Sequence, residues 1–115
     1  MMAQLAALVP PSMTAEVYLP KFRAHMMYVE GRVASLFREA AHETRGQPRN
    51  DRESYCQLLM MRNMEDLQVR ALEAAGMGAE LFQGCMMKFS RDARLAALVQ
   101  GSQVRQDALR EQLFG

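Results

Sequence analysis

The chain has 115 residues, half of them hydrophobic and 23% charged, with a formal net charge of +1. That suffices for one compact domain with an ordinary globular balance; it is too short for two domains and too apolar for a disordered chain. Fourteen basic residues, twelve of them arginine, are interleaved with thirteen acidic ones, so no basic face for phosphate neutralisation emerges and nucleic-acid binding is not expected.

Residues 1–20 contain Pro10, Pro11 and Pro20 and a single charge, Glu16. The prolines predict an apolar, proline-punctuated N-terminal arm with one helical turn after Thr14, packed on the body or on a partner. No basic residue precedes Lys21, so neither a secretory leader nor a transit peptide is expected. No apolar run approaches the roughly eighteen residues of a membrane span. A soluble protein of a reducing compartment follows, either the cytoplasm or an organelle interior entered without a cleaved leader.

Residues 21–115 read as a single helical domain. From Lys21 to about Arg45, Phe22, Met26, Val29, Val33, Leu36 and Ala40 recur at alternating steps of four and three, the spacing of a helix that buries one stripe. Gly46-Gln47-Pro48 supplies the glycine-then-proline stop. Asn50 and Glu53 then have the spacing of a capping box, with Asp51 favourable in the first turn. A second helix is expected from there to Ala75, with Cys56, Met60, Met64, Leu67, Ala71 and Ala74 facing inward until Gly76-Met77-Gly78 ends it.

A third, shorter helix over Ala79 to Phe89 is expected to bury Leu81, Phe82, Cys85, Met86 and Phe89, with Gly84 permitting close approach. Ser90 is the expected cap of a fourth helix beginning at Arg91, which carries Leu95, Leu98, Val99, Val104, Leu109 and Leu113. Gly101-Ser102 is a candidate bend or break in it. No alternating strand run occurs. The expectation is an all-α fold, a small bundle of about four helices plus the N-terminal arm.

Eleven methionines are present, including doublets at Met26-Met27, Met60-Met61 and Met86-Met87, one in each of three helices. Thioethers beside His25, Cys56 and Cys85 are the donor types that select copper(I), which makes a soft-metal protein one alternative. Helical geometry opposes it, because neighbouring methionines lie about 100° apart around a helix and cannot all face one ion. Methionine is also a flexible filler of cores and an adaptable surface for apolar partner helices. With no more than Cys56 and Cys85, free buried thiols are expected rather than a disulfide framework or a zinc site.

His25 and His42 stand about 26 Å apart along one helix, too far to share a ligand. Nucleophile elbows, phosphate-cradling glycine loops and zinc-protease motifs are absent from the sequence, and the pairs Glu65-Asp66 and Glu39-Glu43 sit among arginines as on a solvated face. Neither an enzyme nor a cofactor is expected.

The triplet Leu36-Phe37-Arg38, followed after a loop by Tyr55 on a second amphipathic helix, resembles the LYR-motif proteins, small helical mitochondrial assembly factors and accessory subunits that dock acyl carrier protein. The resemblance implies that Leu36, Phe37 and Arg38 match the motif and that Arg38 faces an acidic carrier protein. Phenylalanine stands here in place of the motif's tyrosine, and Met64 lies near where a phenylalanine is expected. The residues themselves point first to a non-enzymatic interaction module, an accessory subunit, adaptor or assembly factor. Its partner would be another protein or a second copy, docked on the methionine-bearing face of Met60, Met61 and Met64 with Arg62 at the rim.

Overall fold

A computed structural model describes residues 2–115, with side chains placed from Leu5 onward. Five helices follow in order: α1 (Met2–Ala7), α2 (Ala15–Glu43), α3 (Arg49–Ala75), α4 (Ala79–Lys88) and α5 (Ala93–Phe114). No strand occurs among the described residues, so the fold is all-α. No described helix is long and apolar enough to cross a membrane.

The prolines divide the N-terminal region differently from the expected arm. Thr14 is the N-cap of α2, its hydroxyl oxygen accepting from the Val17 N–H at 3.3 Å, and Pro20 lies inside the helix. Proline there removes the donor for the Glu16 carbonyl and crowds that carbonyl, at a cost of about 3 kcal/mol. Tyr18 and Phe22, one turn apart across Pro20, are both buried, and each returns about 1.5 to 3 kcal/mol of burial. Two anchors therefore outweigh one lost hydrogen bond, and the exposed ring of Pro20 stays on the outer side. The true N-terminal segment is shorter, with α1 followed by the Pro10-Pro11 turn.

Residues 44–48 fold α2 back on α3, with Gly46 at φ +82°, the left-handed conformation glycine adopts at little cost. The hairpin is clasped by Thr44 and Arg52. The Thr44 hydroxyl donates to the Ala40 carbonyl at 2.5 Å, while Arg52 donates to Thr44 Oγ1 at 3.3 Å and to the Ala41 carbonyl at 3.1 Å. The expected capping box does not form: α3 starts at Arg49 behind Pro48, and Asn50 falls in its first turn. Glu53 instead pairs with Arg49 at 3.2 Å and Arg110 at 3.8 Å.

At the far end of α3, Gly76 takes a left-handed φ of +66° and Met77 N–H reaches back to the Leu72 carbonyl at 3.2 Å. This is the Schellman ending, and it buries Met77 in the core. The last helix is capped by Asp92 rather than Ser90. The Asp92 carboxylate accepts from Arg94 N–H at 2.8 Å and pairs with the Arg94 guanidinium at 2.7 Å, which holds its pKa down to about 2. Gly101-Ser102 does not divide α5, which runs unbroken through it; Ser102 is buried and its hydroxyl accepts from Gln106 at 3.0 Å.

Two apolar clusters anchor the ends of a body 54 × 25 × 23 Å in extent. One gathers Tyr18, Phe22, Phe82, Cys85 and Leu95 beneath α1 and α4, with Tyr18 5.7 Å from both Phe22 and Phe82. The other gathers Ala40, Cys56, Leu59 and Phe114, where Phe37 meets Phe114 edge-on at 6.4 Å. The radius of gyration, 16.4 Å, exceeds the roughly 13 Å of a compact chain this long, as the α2–α3 hairpin dictates.

Candidate docking groove

Helices α3 and α5 both lie along α2 and meet each other at the Phe114 end, where Arg52 lies over the Phe114 ring and Glu53 pairs with Arg110. The result is the expected small all-α fold, with α2 as the helix on which α3 and α5 pack. Between α3 and α5, floored by α2, runs a groove of about 360 Å³ lined by Phe37, Cys56, Gln57, Met60 and Met61, with Glu53 and Arg110 at its charged edge. Its apolar side chains fit an apolar helix face, and its Glu53–Arg110 pair fits a polar rim.

The inward stripe of α3 differs from the one its sequence suggests. Cys56, Leu59, Leu67, Ala71 and Ala75 are buried, whereas Ala74 is exposed and Met64 is 41% exposed. The cause is Asn63, which occupies the inward face between Leu59 and Leu67. Its amide donates to the Leu59 carbonyl at 2.8 Å and its oxygen accepts from Arg32 at 3.1 Å. A polar residue on the buried side disguises the true stripe and shifts the apparent one to Met60 and Met64. Met60 is half-buried at the groove wall and Met61 is 74% exposed.

Other expected burials change as well. Met86 is 45% exposed, with Phe22, Leu95 and Val99 lining a second hollow of about 600 Å³ between α4 and α5. Leu81 and Phe89 are half-buried, and Phe82 and Cys85 carry the core contacts of α4. Gly84 does permit close approach: a Cβ there would collide with the Leu5 carbonyl oxygen of α1.

Of the triplet, Leu36 is 1% exposed and committed to the chain's own core. Phe37 reaches the groove floor, and Arg38 is exposed. Arg62 is exposed on the same helix as Met61. Sequence reasoning missed Gln57 and Arg110 as groove residues. Arg110 carries no local signal, because its place on the rim depends on how α5 lies along α2.

The candidate soft donors are divided between the two ends. Cys56 belongs to the Phe114 cluster and Cys85 to the Tyr18 cluster, so the thiols cannot share an ion. Burial pushes both thiols' pKa up, away from the thiolate form. His25, Met26 and Met86 do line one cavity, of about 150 Å³. There the His25 ring stacks on Phe82 at 4.2 Å, and burial lowers its pKa. No cluster of three or more His, Cys, Asp or Glu side chains able to hold a metal occurs among the described residues.

Compared with protein-family models, with curated proteins and with solved structures, the chain shows no significant match to any.

Proposed function

We propose that this protein is a non-enzymatic interaction module, an accessory subunit or assembly factor that receives an apolar helix of a protein partner. The observation that carries the reading is the open seat between α3 and α5, where Met60 and Met61 line an apolar groove beside Phe37. A helix laid there would complete a four-helix arrangement over α2. Flexible thioethers suit such a seat, because they repack against differing side chains at little strain.

The test is co-purification from native cells of wild-type protein and of Met60→Glu and Met61→Glu variants, with Val104→Glu as an exposed control outside the groove. Loss of one defined partner in both groove variants and its retention in the control is the expected result. Retention in all three would overturn the reading. Loss with Arg38→Ala but not with the groove variants would instead favour docking of acyl carrier protein through the LYR-like triplet.

A second reading rests on the cavity shared by His25, Met26 and Met86, whose donors suit copper(I). Anaerobic competition with a copper(I) chelator tests it: stoichiometric uptake abolished by His25→Ala supports a metal-binding protein, and no uptake removes that reading.

A further inference from the structure

A different face of α3, outside the groove, carries a self-complementary pattern. Tyr55, Leu58, Arg62, Glu65, Val69 and Leu72 succeed one another at steps of three, four, three, four and three, the seam spacing of paired helices. Read from either end the order is two apolar residues, two charged residues of opposite sign, two apolar residues. The middle four are exposed, Leu58 by 42% and Val69 by 51%. Tyr55 and Leu72, at the two ends, are half-buried against the body.

The charges at the centre are uncommitted. Among the described residues neither Arg62 nor Glu65 has an ion-pair partner, so both charges are available to a facing helix. An unpaired cation and anion at the middle of a partly apolar face are what a symmetric antiparallel contact requires.

We infer that this face of α3 pairs with the same face of a second copy of the chain, the two helices antiparallel. A two-fold axis passing between Asn63 and Met64 sets Arg62 against the partner's Glu65, Leu58 against the partner's Val69 and Tyr55 against the partner's Leu72. Every contact then occurs twice, over a seam about 26 Å long. The parallel alternative brings Arg62 onto Arg62 and Glu65 onto Glu65, so like-charge repulsion selects the antiparallel one. Because α5 leaves this side of α3 open, the pairing and the groove can be occupied together.

Sedimentation velocity over about 10 µM to about 1 mM, the range suited to a small interface, measures the pairing. The wild type is expected to dimerise with rising concentration. Arg62→Glu or Glu65→Arg alone should weaken the dimer by about tenfold or more, and the double exchange should restore it to within about threefold. A second measurement fixes the orientation: Leu58→Cys and Val69→Cys chains, mixed and oxidised, should join as 58-to-69 heterodimers. A wild type that stays monomeric throughout, a double exchange that does not restore the dimer, or preferential 58-to-58 linkage would each overturn the inference. Groove-dependent partner binding is read separately, so either result can fail without the other.

Discussion

At the scale of single residues, two glycines in helices separate conformational cost from steric need. Gly31 is exposed with no atom within 4 Å of an added Cβ, so Gly31→Ala should raise stability by about 0.5 to 1 kcal/mol. Gly84 faces the backbone of α1, which cannot swing aside as a side chain can, so Gly84→Ala should lower stability by about 1 to 3 kcal/mol. Urea unfolding of the two variants checks both signs. His25 offers a second readout at this scale. Burial lowers its pKa below the ordinary value of 6.5, so the unfolded chain takes up its proton more readily than the folded one. Its contribution is therefore complete above pH 6.5 and is lost as pH falls through that value towards the lower folded one. The urea midpoint should drop between pH 7.5 and 5.5, and His25→Gln should flatten the drop.

At the scale of elements, hydrophobic periodicity located the main helices because each must turn one apolar face to the core. Phe22, Val33, Leu36 and Ala40 were legible on those grounds, as were the glycine stops at Gly46 and Gly76. The errors lie where a local signal met a stronger non-local one. Pro20 suggested a helix break, but Tyr18 and Phe22 hold the chain helical through it. Pro20→Ala restores a donor to the Glu16 carbonyl and should stabilise the protein by about 1 to 3 kcal/mol, measured by thermal or urea unfolding. Asn50 and Ser90 both have good capping chemistry, yet Pro48 and Asp92 start the helices instead. Cap preferences are worth about 1 kcal/mol, too little to move a helix end against packing on either side.

At the scale of the whole molecule, the choice between core and surface for similar side chains becomes measurable. Leu36→Ala removes volume from a fully buried site and should cost about 2 to 5 kcal/mol. Met61→Ser should change stability by no more than about 0.5 kcal/mol, because Met61 is 74% exposed. A large loss of stability in Met61→Ser would mean that its side chain belongs to the fold rather than to a groove. The all-helical class, the hairpin turns and most of the α2 stripe follow from the sequence by itself, since period, glycine and proline act within a few residues. The open side of α3, the exposure of Met61 and Met64 and the rim position of Arg110 were decided by tertiary structure. Asn63, polar by type but satisfied by Arg32 and Leu59, masks the buried stripe of α3, and α5 settles along α2 with its contact to α3 at the Phe114 end. Both depend on partners far away in the chain, which a local reading of residue types does not register.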